Sequence, residues 1–286
     1  MSLSSLQLDA FLAVCRERSF SKAAKSLAVT QSALSQRVSA LESQLGQSLL
    51  IRDREGLRLT DVGERLLRYC VAREALEAEA VQSLVSETGL AGSLRVAGYS
   101  SVVRSVLVPA LAPLLRDHPD VRVEFLSREM SELPEMLLRG ETDYVVLDHV
   151  WRRAGVESLP LGEETNVLVE SAEHSERYAY FLDHDSADAT TERLLRKEGL
   201  QLDPSRRCYL DDVYGILDGV ALGLGRAAVS IHLIPERFPV RLVPGHSALK
   251  NPVVLHHLSR PYYSALHKQV VGSLERRCRT FLAEKK

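Results

Sequence analysis

The sequence predicts an α/β protein built from a small helical head, a long connecting helix and an α/β body. Three observations carry that expectation. Between Ser19 and Leu49 two short amphipathic helices meet at a tight corner, and after Thr60 a long stretch runs without proline. Beyond residue 90 short apolar strands alternate with helical segments, the punctuation of βαβ units. At 286 residues, two domains and a connector are the natural division.

The head begins with a helix from Leu6 to Arg18, after which Ser19 is placed to cap a second. Phe20, Ala23, Ala24 and Leu27 make one apolar stripe, and the two alanines are small enough to let another helix cross closely. Ala28-Val29-Thr30 is a short connection, with Val29 plugging the corner and Thr30 capping the next helix. At about 100° per residue, Leu34, Val38, Leu41 and Leu45 fall within one arc. Ser32, Ser35, Gln36, Ser39 and Ser43 fall on the far side, where a surface helix normally carries Lys and Glu. Short hydrogen-bonding groups there approach base edges and phosphates without charge repulsion. The plainer alternative is an amphipathic helix pair from some other bundle. Gly46 is the expected helix stop.

Leu49 to Arg52 and Leu57 to Leu59 then read as two short strands around a turn with Gly56 at its exit. A hairpin in that place is a wing whose tip lies near a phosphate backbone. Arg52 and Arg54 become phosphate or minor-groove contacts, although Asp53 and Glu55 between them fit ordinary surface charge equally well for Arg54.

From Thr60 to about Glu87, Gly63 is the sole glycine, and Leu66, Leu67, Cys70, Val71, Ala75, Leu76, Val81, Leu84 and Val85 form an imperfect helical seam. Periodicity does not distinguish a dimerising seam from a helix packed within one chain. Thr88 to Gly92 reads as a hinge. Strands follow at Leu94–Ala97, Val121–Leu126, Tyr144–Leu147, Tyr178–Leu182, Arg206–Leu210, Ala227–Ser230 and Val253–His257. Helices fall between and after them, up to Leu115, over Leu133–Arg139, near 188–198 and 212–222, and finally from about Tyr262 to Leu282. Largely parallel sheets are expected.

In open α/β sheets, ligands sit beyond the carboxyl ends of strands. That rule selects Tyr99, Ser100 and Ser101 after the first strand, Ser127 and Arg128 after the second, and Asp148 and His149 after the third. The opposite wall offers Asp183, Asp185, Asp188, Asp211 and Asp212, which fit routine helix capping or a carboxylate for a basic side chain. Arg128 suits an acidic metabolite instead, so both ligand charges stay open.

Charge is unevenly spread. Residues 1–60 hold eight Lys/Arg against five Asp/Glu, and residues 61–89 hold three against six. So mildly basic a head binds DNA weakly alone, because sequence-independent affinity comes from neutralised phosphates; two or more copies are the remedy. Cys15, Cys70, Cys208 and Cys278 are scattered without a CxxC pair, as expected of buried or idle thiols in a reducing cytoplasm. No signal sequence, membrane span, metal set or cofactor loop is expected. Gly223-Leu224-Gly225 imitates a dinucleotide loop but follows a helix and precedes a strand, so a helix stop is expected there. His256 and His257 are adjacent and point to opposite strand faces, and Trp151 is expected to pack. An enzyme lacks a nucleophile elbow or phosphate loop here.

From Leu6 to Gly63 the chain resembles the winged helix-turn-helix of LysR-type transcriptional regulators, through Phe11, Ser19, Phe20, Ala23, Ala24, Leu27, Thr30, Gln31, Ser32, Ala33, Ser35, Leu41, Glu42, Leu45, Gly46, Leu49, Arg52, Leu59, Thr60 and Gly63. Val108-Pro109, Leu111, His118-Pro119, Val121, Leu138, Gly140, Asp143 and Gly223-Leu224-Gly225 extend a looser resemblance over the body. The resemblance implies major-groove contacts from Gln31, Ser32, Ser35, Gln36 and Arg37, with Thr30 at the helix start, and a linker helix that dimerises. It implies a winged head at 1–60, a linker at 61–89 and an effector-binding domain at 90–286, related to periplasmic solute-binding folds. Its subdomains would be 90–163 with 260–286, and 164–259. Ser35-Gln36-Arg37-Val38 reverses the commoner Arg-Gln order, as in the branch answering to basic amino acids. The expected protein is a cytoplasmic, homodimeric or homotetrameric regulator, without cofactor, catalytic residue or metal. It would read a pseudo-palindromic operator in double-stranded DNA and sense a small molecule, an amino acid being one candidate. RNA polymerase is a candidate partner. A ligand-independent repressor or architectural DNA-binding protein is the alternative.

Overall fold

The computed structural model describes residues 2–53, 56–85, 90–174, 180–260 and 262–283. The head opens with α1 (Ser5–Glu17), α2 (Phe20–Ser26) and α3 (Gln31–Leu45). Ala10, Val14, Ala23, Ala24, Leu34 and Val38 are buried together, the small residues letting the three helices approach closely. Ser19 Oγ accepts the Lys22 N–H at 3.3 Å and Thr30 Oγ1 accepts the Ala33 N–H at 3.2 Å, so both expected caps form. Gly46, at φ +63°, ends α3 in the left-handed region that glycine tolerates.

β1 (Leu50–Asp53) and β2 (Gly56–Leu59) pair antiparallel as the wing. Glu42 Oε1 accepts the Leu49 and Leu50 N–H groups at 2.8 and 3.3 Å, tying the wing to α3. The long α4 (Asp61–Val85) follows. Its Leu67, Cys70 and Val71 bury against Leu8, Phe11, Leu12 and Cys15 of α1, so half of the expected seam packs within the chain. Leu76 and Val81 of that seam, with Tyr69, are exposed. The side chains of Leu84 and Val85, and the start of the expected hinge at Thr88 and Gly89, lie outside the described residues.

The body starts with β3 (Gly92–Gly98), followed by a helical run of α5 (Ser100–Val102), a π-helical turn (Val103–Leu107) and α6 (Val108–Asp117). Then come β4 (Val121–Ser127), α7 (Leu133–Leu138), β5 (Tyr144–Leu147) and the long β6 (Val156–Ser171). The second subdomain adds β7 (Phe181–Asp183), α8 (Thr190–Lys197), β8 (Arg207–Tyr209), α9 (Val213–Ala221), β9 (Ala227–Ser230), β10 (Val240–Leu242) and β11 (Leu249–Leu258). α10 (Ala265–Leu282) packs back on the first.

Strand order in the main sheet is β10-β6-β11-β5-β3-β4, with β9 also paired to β6. In that sheet β3, β4 and β5 pair parallel and β6, β9, β10 and β11 antiparallel, while β7 and β8 pair parallel in a separate sheet; the mixture corrects the expectation of largely parallel sheets. β6 itself escaped the sequence reading because Pro160 and Gly162 resemble strand breakers. The register slips there: Gly162 faces Val253 and Pro160 faces Val254, leaving Leu161 as an extra, fully buried residue. A bulge is where a strand interior accommodates proline.

β6 and β11 pass through both subdomains. Leu161, Val253 and Leu255 join the core of β3, α6 and α10, while Val169 packs with Leu182, Ile216, Val220 and Val229 in the other. The last part of β11 therefore sits with the first subdomain, whereas the sequence reading gave all of 164–259 to the second.

The head rests on this first subdomain. Arg16 Nε donates to Gly140 O at 3.2 Å, and Arg153 pairs with Glu64 at 2.5 Å. Gly140, at φ +66°, lies so close to Val71 that an added Cβ would stand 2.6 Å from its methyl carbon.

Candidate nucleic-acid face and ligand cleft

On α3, Leu34, Val38 and Leu41 are buried, and Gln31, Ser32, Gln36, Ser39 and Ser43 are exposed with the cap residue Thr30. Ser35 and Arg37 are half-buried at the edges of that face. The polar side is therefore outward, as its 3.6-residue period requires. The wing places Arg52 opposite Leu57 in the ladder. The Arg52 side chain and the whole of Arg54 lie outside the described residues.

Between the two subdomains of the body lies a cleft of about 520 Å³. Tyr99, Ser100, Ser101, Ser127, Arg128 and Asp148 line it, as the strand-end rule proposed. His149 is not among the lining residues: its exposed ring pairs with Asp148 Oδ1 at 2.7 Å, and its carbonyl lies 3.1 Å from His256 Nε2.

The acidic wall divides into roles. Asp183 is buried, accepting from Thr191 Oγ1 at 2.5 Å and Arg207 Nε at 2.6 Å. Burial raises its carboxyl above the ordinary range despite those two donors. Asp212 caps α9 through the Tyr214 and Gly215 N–H groups at 3.2 and 3.0 Å, and Asp185 and Asp188 hold neighbouring backbone N–H groups. Asp185, Asp188, Asp211 and Asp212 nevertheless line the cleft alongside Glu129, Asp148 and Glu164, seven carboxylates against the guanidinium groups of Arg128 and Arg193.

Sequence reasoning missed the cleft floor. Glu164, Asn166, Ser230 and Asn251 are buried polar residues on β6, β9 and β11, at the point where the subdomains meet. Glu164 Oε2 lies 3.3 Å from His232 Nε2, and His232 Nδ1 lies 2.7 Å from Ser105 Oγ on the π-helical turn. Burial, with the neighbouring Glu164 and Asp148 carboxylates, pushes the Tyr99 phenol well above its ordinary range. Asn166 Nδ2 and Ser230 Oγ have no protein partner, while the Tyr99 hydroxyl neighbours Glu164. Each such orphan costs about 1–3 kcal/mol if left dry. The available signal was the polar pair Glu164 and Asn166, two apart, just before the apolar run Val167–Val169.

Gly223 follows α9 at φ +77°, which makes the glycine-rich stretch a helix stop. His184, Asp185 and Glu129 bring potential ligand atoms within 4.8 Å of one another at the cleft mouth, a grouping the sequence reading did not foresee.

A winged helix-turn-helix on a long helix, followed by a cleft between two α/β subdomains, is the architecture of ligand-responsive DNA-binding proteins. The chain belongs to the LysR family: residues 6–64 match the bacterial regulatory helix-turn-helix protein, lysR family, and residues 87–279 match the LysR substrate binding domain. The transcriptional regulator ArgP of Cronobacter sakazakii is 42% identical over 135 residues, covering 47% of this chain and 44% of that one. A transcriptional regulator of Pseudomonas aeruginosa is 41% identical over 119 residues, 41% of this chain and 39% of its own. These matches span less than half of either relative. In fold, the chain is similar to ArgP of Mycobacterium tuberculosis (TM-score 0.75, 21% identity, 100% of both chains). It is also similar to full-length LysG of Corynebacterium glutamicum with bound effector Arg (TM-score 0.74, 18% identity, 99% of this chain and 100% of that one).

Proposed function

We propose that the chain is a sequence-specific DNA-binding transcriptional regulator controlled by a basic amino acid held between its subdomains. The single observation that carries the DNA half is the exposed face of Gln31, Ser32 and Gln36 on a helix whose opposite side is buried. Such a helix enters the major groove, and Arg52, with Arg54 two positions on in sequence, neutralises phosphates. The ligand half is supported by the predominance of carboxylates around the cleft and by the arginine bound in the LysG structure.

The working unit is a homodimer or homotetramer, since one mildly basic head has too few phosphate contacts, and the exposed Leu76 and Val81 of α4 offer an apolar seam to another copy. Reading helices then sit on pseudo-palindromic half-sites at multiples of about 34 Å. The domains we assign are 1–60, 61–89 and 90–286, the last crossing between subdomains within β6 and again near Val253. Ligand closes the cleft, subunit packing changes, and the spacing of the heads follows. RNA polymerase is the partner through which a bound regulator acts on transcription. No helix among the described residues is long and apolar enough to cross a membrane. We assign the protein to the cytoplasm and to a non-enzymatic role, in keeping with relatives named as transcriptional regulators.

Selection of binding sites from random duplex DNA tests the first half. Enrichment of a two-fold symmetric sequence is expected, and recovery of unenriched DNA refutes it. Repeating the selection with and without L-arginine tests the second half, the expected result being altered half-site spacing or affinity.

A further inference from the structure

The cleft floor carries a polar patch that the apolar periodicity of its strands does not explain. Glu164 and Asn166 share one face of β6, being two residues apart. The ladder sets Asn251 of β11 opposite Glu164 and Ser230 of β9 opposite Asn166, so four buried polar side chains adjoin. Two residues further along the same face, Leu168 already belongs to apolar core. The polar run therefore coincides with the crossing point of the subdomains and stops where ordinary packing begins.

Its chemistry is specific. Among the described residues, Glu164 is paired with no lysine or arginine; its ion-pair neighbour is His232, at 3.3 Å. Beside that carboxylate, the donors Asn166 Nδ2 and Ser230 Oγ are buried and unpartnered, and the Tyr99 hydroxyl neighbours Glu164 itself. Native interiors satisfy buried polar groups, and two orphans side by side on one cavity floor mark a place that a ligand completes. One carboxylate facing several neutral donors is the complement of a zwitterion.

We propose that this floor seats the α-ammonium and α-carboxylate head of an amino acid. The ammonium lies on Glu164; the carboxylate takes the Asn166 amide and the Ser230 hydroxyl, and Tyr99 closes over it from the first subdomain. This rests on the effector reading above. The side chain then extends towards Asp185, Asp188 and Asp211, which select a cation.

The test measures binding of L-arginine, L-lysine, agmatine (no carboxylate) and 5-guanidinopentanoate (no α-amine) to the full chain by calorimetry. In the unsubstituted protein, arginine or lysine binds, and each truncated analogue of arginine binds at least 30-fold more weakly than arginine itself. Glu164→Gln weakens arginine at least tenfold but leaves 5-guanidinopentanoate unchanged, because that analogue has no ammonium to lose. Asn166→Leu weakens arginine and leaves agmatine unchanged; Ser230→Ala, a smaller change, moves in the same direction and guards against misfolding. Variants that retain full discrimination against the truncated analogues overturn the seat while leaving an amino-acid effector in place. An unsubstituted chain that binds neither arginine nor lysine also overturns the seat. If, in addition, no small molecule in a broader screen shifts its melting, the effector reading fails with it.

Discussion

Replacing Gly63 by alanine puts a methyl group where the wing meets the connecting helix. An ideal Cβ there lies 2.2 Å from the Leu49 carbonyl oxygen and 3.0 Å from Leu59 Cδ2, against an ordinary contact of 3.4 Å or more. The obstacle is backbone, so no rotamer relieves it, and α4 must retreat from residue 49 by about 1 Å. That oxygen already accepts the Thr60 N–H at 3.0 Å, and residue 49 is held on its other side by Glu42. Overpacking of this kind costs about 1–3 kcal/mol, and a weakened Thr60 hydrogen bond adds about 1 kcal/mol. The better helix propensity of alanine returns about 1 kcal/mol. A net loss of about 1–3 kcal/mol remains, which raises the open population of the head about 5- to 150-fold.

Hydrogen exchange reads this locally: amides of Leu41 and Leu49 should exchange faster by that factor. Trp151, the one tryptophan, lies half-buried in the body and supplies a control, because its fluorescence transition in urea should stay put. Head amides as protected as before would refute the reasoning. A shift confined to the Trp151 transition would refute it too.

On the reading face, Gln36→Ala should relax base choice at one position of each half-site by about 1–3 kcal/mol, and Ser35→Ala less, being half-buried. Arg52→Ala should instead weaken all sequences alike and reduce the salt slope by about one; competition binding at several salt concentrations separates the two patterns. His267 stacks on Tyr144 and Tyr263, and burial, then the neighbouring His257 and Arg260, lower it from 6.5 to about 3. Between those values the unfolded chain binds a proton that the folded one refuses, so stability falls as pH drops, by at most about 1.4 kcal/mol per pH unit. His267→Phe should flatten that dependence in urea titrations between pH 7 and 5; an unchanged slope counts against it. Cys208 is exposed while Cys15, Cys70 and Cys278 are buried, and burial pushes the thiols of Cys70 and Cys278 up to about 12. One thiol should therefore react quickly with a disulfide reagent under native conditions, and the other three only on unfolding.

The head was legible because its determinants are local. Caps at Ser19 and Thr30, a stop at Gly46 and an apolar arc at helical spacing all act within four residues. The cleft was legible only in part. Strand-end loops announce themselves by composition, so Tyr99, Ser100, Ser101, Ser127, Arg128 and Asp148 were found. The floor was not, because Glu164, Asn166, Ser230 and Asn251 come from three strands and meet only through registers that no single stretch encodes. β6 was lost for the related reason that Pro160 is tolerable only because β6 bulges at Leu161 against β11. His149 failed because strand-end position says nothing about which way a side chain leaves the loop.

The packing of α4 constrains how a cleft signal reaches DNA. Val71 sits against Gly140, Arg68 against Gly155, and Glu64 pairs with Arg153, all on the first subdomain. Within one chain, head, connecting helix and first subdomain are thus one contact network. On the proposed closure, what moves relative to the head is the second subdomain. On the proposed function, a change in operator spacing then arises where that subdomain meets another copy, because the contacts named here tie the head to the first subdomain. Weakening the network, for example by Arg153→Ala, should therefore alter the operator response without altering amino-acid affinity. If ligand affinity falls in step, closure and head are coupled inside the chain and the inter-subunit route is wrong.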